Sequence, residues 1–426
     1  MNILILNWRD KDHPSSGGAE IVTHEHGKSW VERGHKVTWF TSWYAPVGRV
    51  EYVDGIRMIR RGGFLTVYPV AMLYVLLHGH EYDVIVDEVH GFPFFAVFFT
   101  KTPVVVFIHE IAGIIWDYMY PFPVNVIGKF VEKHYFRLYK HCQFWTDAPS
   151  TIEELVARGI PRKQCTAIAC PITVQGTWDN EQGTKSGKQG TWDNEQGTKS
   201  GKQGTWGNEQ GTENREPAPT RTYSDRGEQR TENRKQNNPT YIFVSRVVKM
   251  KGIEEVIKAF SFIIREQPSC QLRIVGGGEE RYIKELKAMI SDYGVSNHVT
   301  FFGKVTEQKK YALMARSHLL LHASVKEGWG LVVLEAASVG TPSIVYDVPG
   351  LRDVVKNRKT GMVVKSNSPQ EMAKEALRLM SNNKRYAFFQ KNGKAWVHSL
   401  RWSDVTKSSL ALLHRSVHQG TYETDA

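Results

Sequence analysis

The chain has 426 residues, more than one ordinary domain core accommodates, and this length predicts two domains. Hydrophobic residues make up 41% of the chain, which is enough to bury two cores. The net charge is +11, and the whole excess of positive charge lies after residue 238, which predicts a nucleic acid, an anionic membrane or a phosphorylated ligand as its partner.

The N-terminal sequence MNILILNW is typical of a buried strand, because no basic region precedes its apolar residues as in a signal peptide. The longest apolar stretch, residues 64–77, is shorter than the ~20 residues that span a bilayer. The four cysteines have neither a CxxC pair nor metal-ligand spacing and are typical of reduced structural thiols. We therefore expect a cytoplasmic protein.

Strands and helices alternate in the first part of the chain. Gly17-Gly18 forms a glycine-rich turn before a helix expected over about residues 19–33, which ends at Gly34. Such alternation predicts a parallel, doubly wound sheet. The short apolar runs that predict its strands are residues 3–6, 36–41, 84–86 and 104–108.

A tandem repeat follows. The sequence GTWDNEQGTKSGKQ fills residues 176–189, recurs without change at 190–203, and begins a degraded third copy at Gly204. A period of 14 equals two heptads, but residues 176–238 contain no Ile, Leu, Val, Met or Phe, which excludes a coiled coil. With so little apolar surface to bury, the segment is predicted to be a disordered linker.

After the repeats the alternation resumes and predicts a second doubly wound domain. Two such domains facing each other form a cleft, which is the usual place for a ligand. The predicted helices are residues 253–266, 281–292 and 330–339, and the predicted strands are residues 241–245, 271–275, 299–302, 319–322 and 343–346.

The strongest chemical signal is a pair of glutamates, Glu327 and Glu335, on either side of the glycine-rich turn Gly328-Trp329-Gly330. Backbone N–H groups and the dipole at the start of the predicted helix suit a phosphate. The loop glutamate suits sugar hydroxyls, and the helix glutamate can reach a ribose. On spacing alone, two surface carboxylates beside an ordinary strand–helix turn remain the alternative.

This pattern resembles glycosyltransferase family 4, whose retaining members carry the same E-x7-E spacing. The resemblance extends over nearly all of residues 239–390 and more loosely over 1–172. It implies a GT-B fold, with two Rossmann-like domains facing a central cleft and the disordered repeat insert between them. Further elements in family order are Ser245-Arg246-Val247 (where the family usually has Gly-Arg-Leu), Lys251-Gly252, Val275-Gly276-Gly277-Gly278, Phe302-Gly303-Lys304-Val305 and Gly340-Thr341-Pro342.

The resemblance also implies the roles of individual residues. Arg246 and Lys251 would hold the donor diphosphate and offset the charge of the leaving group. Glu327 would bind the transferred sugar, and Glu335 the ribose. The remaining donor-binding positions, expected to act through their backbones, are Gly303 and Val305 at the base, Gly328, Trp329 and Gly330 around the sugar, and Leu331 at the phosphates.

In the first domain, Gly17 and Gly18 resemble the family's glycine pair, and glycine lets the backbone approach a diphosphate closely. His109 follows the apolar run 104–108 and matches a family histidine beside the donor sugar and the acceptor. It would position the sugar or stabilise positive charge at the anomeric carbon. Without the resemblance, a structural histidine is the alternative. His109, Glu327, Arg246 and Lys251 form the predicted catalytic set.

The resemblance also gives the expected domain boundaries. We predict an acceptor-side domain over residues 1–172, the repeat linker over 173–238 and a nucleotide-sugar donor domain over 239–390. Trp402 resembles the family's tryptophan before a final helix, so residues 391–415 are expected to return to the first domain as a helix, with a tail over 416–426.

A basic, aromatic-rich helix is predicted around residues 129–140. Lys129, Lys133, Arg137 and Lys140 follow helical spacing, among aromatic residues. This pattern predicts peripheral contact with an anionic membrane, as in family members that act on lipid-linked acceptors. A solvated amphipathic helix is the alternative.

The predicted function is retaining transfer of a hexose from a nucleotide-diphosphate sugar to a glycan or lipid-linked acceptor. No cofactor and no metal are expected, because the basic residues would replace a divalent cation. Two alternatives remain, a non-catalytic sugar-nucleotide-binding homologue and a GT-B sugar-nucleotide epimerase. No nucleic acid partner is expected, since a phosphate site accounts for the positive charge. A nicotinamide oxidoreductase is excluded, because no G-x-G-x-x-G follows the first strand.

Overall fold

Two β-sheets organise the chain in a computed structural model that describes residues 1–173 and 238–423. The repeats, and with them the predicted disordered linker, lie outside the described residues. The first sheet is built from β1 (Asn2–Leu6), β2 (Lys36–Thr41), β3 (Val50–Val53), β4 (Ile56–Arg60), β5 (Val84–Glu88), β6 (Val104–Phe107), β7 (Gln143–Thr146) and β8 (Cys165–Ala167). The second is built from β9 (Thr240–Val244), β10 (Gln271–Val275), β11 (Val299–Gly303), β12 (Leu319–His322), β13 (Ser343–Val345) and β14 (Gly361–Val363).

Thirteen α-helices among the described residues connect and cover these strands. In the first domain they are α1 (Gly18–Glu32), α2 (Val67–His78), α3 (Ile115–Met119), α4 (Val124–Tyr135) and α5 (Pro149–Val156). After the repeats come α6 (Ile253–Glu266), α7 (Glu280–Asp292), α8 (Glu307–Ala315), α9 (Leu331–Ser338), α10 (Leu351–Val354), α11 (Pro369–Met380), α12 (Asn383–Ser399) and α13 (Trp402–Glu423). Within residues 1–173 and 238–423, no helix is both long enough and apolar enough to cross a membrane.

Strand order identifies the edge of each sheet where a ligand is expected. The orders are β3-β4-β2-β1-β5-β6-β7-β8 and β11-β10-β9-β12-β13-β14, with every neighbouring pair parallel except β3 and β4. The chain therefore reverses its direction of winding between β1 and β5 and between β9 and β12. In such sheets, ligands bind beyond the carboxyl ends of the strands at these switch points.

Burial explains why these segments form their elements. The central strands are covered on both faces, and residues such as Ile3, Leu4, Phe243 and Leu320 are fully buried. Helix α6 places apolar residues at helical spacing, so one face packs on the sheet while its polar face remains in solvent. Both sheets of the predicted GT-B architecture are therefore present.

The last two helices differ from the sequence prediction. One helix was expected over residues 391–415, but the structure has α12, ending at Ser399, and α13, beginning at Trp402. Helix α13 returns to the first domain, where the indole N–H of Trp30 on α1 donates to Ser409 Oγ at 3.0 Å. The single-helix prediction failed because the helical pattern on both sides hides the short break at Leu400-Arg401.

Candidate active site

Glu327 lies in a turn beyond β12, where Lys251 and His322 contact the same carboxylate oxygen. The Lys251 ammonium donates to Glu327 Oε1 at 2.7 Å, and His322 Nε2 lies 2.9 Å from that oxygen. Burial alone would raise the pKa of Glu327, yet Lys251 and His322 hold it well below the usual carboxyl range. The carboxylate therefore stays ionised, and Oε2 is the oxygen available to a ligand hydroxyl.

The turn after Glu327 is fixed by glycines. Gly330 has a φ of +82° and precedes α9 without a capping side chain. Gly350, at φ +78°, lies so close that a Cβ would stand 2.2 Å from the Glu327 carbonyl oxygen. The Val333 N–H donates to the Gly330 carbonyl at 2.9 Å, which leaves the N–H groups of Leu331 and Val332 at the start of α9 as donors to an anion.

The glycine pair of the first domain meets the start of α9. A Cβ on Gly18 would stand 3.0 Å from Leu331 Cδ1. The Gly17 N–H donates to Glu20 Oε2 at 2.6 Å, and Glu20 also pairs with Arg9 at 2.6 Å. The structure therefore places Gly18 beside Leu331, and the binding of a diphosphate by these residues stays a prediction.

A second guanidinium joins Arg246 at this place. Burial lowers the pKa of Arg9, and the charge of Arg246 lowers it further, while Glu20 raises it. Arg246 is exposed two residues after β9. Two guanidiniums near each other on opposite domains favour an anion between them. Arg9 was not among the predicted site residues.

His109 lies between two carboxylates. Its Nδ1 contacts the Asp147 carboxylate, and its Nε2 lies 3.0 Å from Glu88 Oε1. Burial alone would lower the pKa of His109, but Asp147 and Glu88 raise it to about 10. The imidazole is therefore a cation at neutral pH, and its ring orientation is fixed.

The two domains contact each other at the site, where Gly328 of the second domain lies against the backbone of His109 of the first. A Cβ on Gly328 would stand 2.9 Å from the His109 carbonyl oxygen. Next to it, the indole N–H of Trp329 donates to the Cys170 carbonyl at 2.9 Å, and the ring is 5% exposed. The Trp329 side chain thus packs between the domains.

The remaining predicted residues lie away from Glu327. Glu335 lies in α9, Gly303 is the last residue of β11, and Val305 follows that strand. Glu335 pairs with Lys310 at 2.9 Å, whereas Glu327 is held by a different lysine. Burial raises the pKa of Glu335, although Lys310 opposes this. Gly303 accepts from the Gly276 N–H at 2.9 Å, and Val305 is partly buried beside it. The structure therefore places Gly303 next to the turn that follows β10.

Models of two families match the chain, and together they span most of it. Residues 16–175 match Glycosyltransferase Family 4, and residues 225–396 match Glycosyl transferases group 1. The chain belongs to glycosyltransferase family 4. The resemblance described from the motifs is therefore confirmed.

Curated relatives match this family 4 glycosyltransferase over part of their length. A GDP-mannose-dependent alpha-(1-6)-phosphatidylinositol monomannoside mannosyltransferase of Mycobacterium tuberculosis is 32% identical over 194 residues, 44% of this chain and 50% of the relative. A D-inositol 3-phosphate glycosyltransferase of Jonesia denitrificans is 26% identical over 180 residues, 41% of this chain and 42% of the relative. These matches thus span about half the length of the relatives or less.

Solved structures share the fold. Sucrose-phosphate synthase from Thermosynechococcus elongatus has a TM-score of 0.72 at 18% identity, covering 98% of this chain and 99% of the other. Anabaena HepE in complex with UDP and glucose has a TM-score of 0.67 at 18% identity, covering 97% and 100%. The GT-B prediction is confirmed by this likeness.

Two groups at the site of this family 4 glycosyltransferase were missed from its sequence. They share one place in the fold, because each stands at or just beyond the carboxyl end of a parallel strand. Polar residues in that position face the ligand edge of a doubly wound sheet, and this rule would have found them. The missed groups are Asp147 after β7 and His322 at the end of β12.

Proposed function

We propose that this chain is a retaining, metal-independent hexosyltransferase that uses a nucleotide-diphosphate sugar as donor and a glycan or lipid-linked molecule as acceptor. The observation that carries the proposal is the ionised Glu327, held by Lys251 and His322 beside the uncapped start of α9. A carboxylate next to a cationic and backbone N–H anion site suits a sugar attached to a phosphate.

The proposed reaction needs no protein nucleophile. The acceptor hydroxyl bonds to the anomeric carbon on the face from which the diphosphate departs. The electrons of the broken C–O bond go to the leaving phosphate, which also takes the hydroxyl proton. Arg246, Lys251 and the start of α9 offset the charge that develops on the phosphate.

His109 has an electrostatic role in this proposal. Its imidazolium is enclosed by two carboxylates, Glu88 and Asp147, so these three groups together carry one negative charge. A fixed negative charge near the anomeric carbon stabilises the positive charge that develops there as the phosphate leaves. This favours charge stabilisation by the two carboxylates over direct hydrogen bonding from His109 to the sugar, because both ring nitrogens of His109 contact these carboxylates.

The names of the relatives support the donor class. One curated relative is GDP-mannose-dependent, and the HepE structures contain UDP with glucose or UDP-glucose. Both donors are hexoses on a nucleoside diphosphate. A site with a paired guanidinium, a lysine and a helix start fits that diphosphate.

Thermal unfolding with a panel of UDP-, GDP- and ADP-sugars tests the proposal. One donor is expected to stabilise the wild type, by about 2.7 kcal/mol at 100 times its Kd. Glu327→Gln and Lys251→Ala are expected to abolish the shift. Lys249→Ala is the matched control, because Lys249 lies in the same turn and does not contact Glu327.

No stabilisation of folded protein by any donor, or equal loss in the Lys249→Ala control, would contradict the proposed site. Hydrolysis of the bound donor distinguishes an enzyme from a non-catalytic binding protein. Retention is tested by the anomeric configuration of the product in ¹H NMR spectra. Metal independence predicts full activity after treatment with a chelator.

We also propose a peripheral membrane contact through α3, α4 and the loop between them. This surface, residues 114–130, exposes Phe122 by 80%, Phe130 by 65%, Met119 by 59% and Ile127 by 57%. Lys129 and Lys133 lie on the same helix, α4. Exposed apolar residues interspersed with lysines fit the interface of an anionic membrane.

Sedimentation with vesicles tests this contact. Binding to phosphatidylcholine vesicles containing 30% phosphatidylglycerol is expected for the wild type and is expected to fall at least about tenfold in Phe130→Asp. Phe388→Asp is the matched control, because Phe388 is also half exposed but lies on α12. Equal binding of the vesicles by both variants would contradict the membrane contact. It would not bear on the proposed donor site.

A further inference from the structure

We infer that Glu88, His90 and His109 form a binding site for a zinc-type divalent transition-metal ion, and that the bound ion inhibits the protein. One ligand atom from each residue lies within 4.8 Å of the others. The site overlaps the proposed active site, but its occupation by a metal does not depend on transferase activity. The ion would be an inhibitor and not a cofactor.

The geometry needs little change to accept the ion. Both Nε2 atoms approach the same oxygen, Glu88 Oε1, at 2.7 Å from His90 and 3.0 Å from His109. Tetrahedral zinc with ligands at about 2.0–2.2 Å separates neighbouring ligand atoms by roughly 3.3 Å. Small side-chain rotations therefore open the required space, and the backbone need not move.

The surrounding contacts are those of a supported metal site. The Asp147 carboxylate contacts Nδ1 of His109, which leaves Nε2 as the ligand atom. Thr23 donates to Glu88 Oε2 at 2.8 Å and fixes that carboxylate. A carboxylate behind a ligating histidine orients the ring and raises its basicity, as in known zinc centres.

Charge also favours a divalent ion. Glu88 and Asp147 are 0% and 2% exposed, so two carboxylates are enclosed beside the imidazoles of His90 and His109. A metal ion that bonds to the Glu88 carboxylate balances the charges of both carboxylates, while Asp147 remains on Nδ1 of His109. His90 is 15% exposed, which gives the ion a path from solvent and leaves a fourth position for water.

Binding would remove negative charge from the active site. A divalent ion balances the charges of the Glu88 and Asp147 carboxylates, both of which are buried. The negative charge that would stabilise the positive charge developing at the anomeric carbon is then lost. Inhibition in this form rests on the proposed function, whereas the binding itself does not.

Equilibrium dialysis of the full chain against Zn²⁺, with metal analysis, tests the binding directly. One Zn²⁺ per chain is expected for the wild type at micromolar free zinc. His90→Gln and His90→Ala are each expected to weaken this binding at least tenfold. His78→Gln is the matched control, because His78 also pairs with a glutamate at 2.7 Å but lies outside the Glu88, His90 and His109 cluster, the one group of three close metal-ligating side chains among the described residues.

Zinc-edge X-ray absorption identifies the ligands in the wild type without any variant. Two imidazoles with oxygen ligands are expected. Absence of binding, sulfur ligation, or equal loss in His78→Gln and His90→Gln would overturn the zinc site. Zinc binding that left donor hydrolysis unchanged would overturn the inhibition. A wild type without donor binding but with intact zinc binding would contradict only the proposed function.

Discussion

Lys326 and Glu154 are joined by an ion pair between the two domains, with the lysine nitrogen 2.6 and 2.8 Å from the two carboxylate oxygens. Lys326 immediately precedes Glu327, and Glu154 lies on α5 of the first domain. A second polar link is close by, since the Gly350 N–H donates to Ser150 Oγ at 3.1 Å. These contacts hold the turn that contains Glu327 against the first domain.

Removing the charge of Glu154 should loosen this closed arrangement. Glu154→Gln leaves the mostly buried Lys326 ammonium without its partner, which costs about 1.5–3 kcal/mol. We expect weaker nucleotide-sugar binding by calorimetry and a larger radius of gyration by solution scattering. Glu153→Gln is the control, because the neighbouring Glu153 pairs with Arg162 in solvent. Identical behaviour of the two variants would contradict a role in closure.

Gly328→Ala should separate the two sides of the active site. The new methyl group would stand 2.9 Å from the His109 carbonyl oxygen, so the turn and the end of β6 must move apart. Displacement of reacting groups by about 1 Å can lower kcat/KM up to about 100-fold, and we expect a loss of at least tenfold in donor turnover. Gly63→Ala meets only Thr66 Oγ1 at 3.9 Å and should leave turnover unchanged.

Glu335→Gln should stabilise the ligand-free protein while weakening donor binding. Because burial raises the pKa of Glu335, ionising it costs folding free energy above its ordinary value of 4.5. That cost is absent below pH 4.5 and develops as the pH rises through the raised pKa. Urea unfolding at pH 7 is expected to show a gain of about 1 kcal/mol, which shrinks towards pH 4.5.

Lys310 keeps Glu307 as a partner at 2.8 Å in this variant, so it is not left unpaired. A Glu335→Gln protein that is less stable than the wild type at pH 7 would show that the Lys310 pair outweighs the burial of the carboxylate. Unchanged donor affinity would instead argue against contact between Glu335 and the ribose.

Ser409→Ala should weaken the attachment of α13 to the first domain. The Trp30 indole N–H would then be buried without an acceptor, which costs about 1–3 kcal/mol. Ser408→Ala provides the comparison, because its hydroxyl donates to the Asp404 carbonyl within α13 on the exposed face. Denaturant unfolding should separate the two variants by at least about 1 kcal/mol, and equal midpoints would contradict this account.

The sequence predicted the central strands well and the outer strands poorly, for a physical reason. Strands covered on both faces, such as β1 and β9, appear as continuous apolar runs that periodicity detects. The antiparallel pair β3 and β4 lies at the sheet edge, and β3 has no buried residue. Its mixed pattern carries no comparable signal.

The candidate site was likewise predicted only in part from the sequence. Motif order placed Lys251 and Glu327 in one site, and the structure joins them at 2.7 Å. The contact between His109 and Asp147 joins residues 38 positions apart on neighbouring strands. Sequence spacing does not specify which parallel strands become neighbours, so the surroundings of His109 had to come from the sheet order.

Helix α13 makes the first domain depend on the last residues of the chain. Leu412 and Leu413 are fully buried, and Ser409 completes the hydrogen bond of Trp30. A premature stop codon just after residue 400 would therefore leave every strand of the second sheet in place. It would remove α13, which packs on β5, β6 and α1 of the first domain. The damage would fall on the domain that precedes the repeats, although the deleted residues follow the second domain.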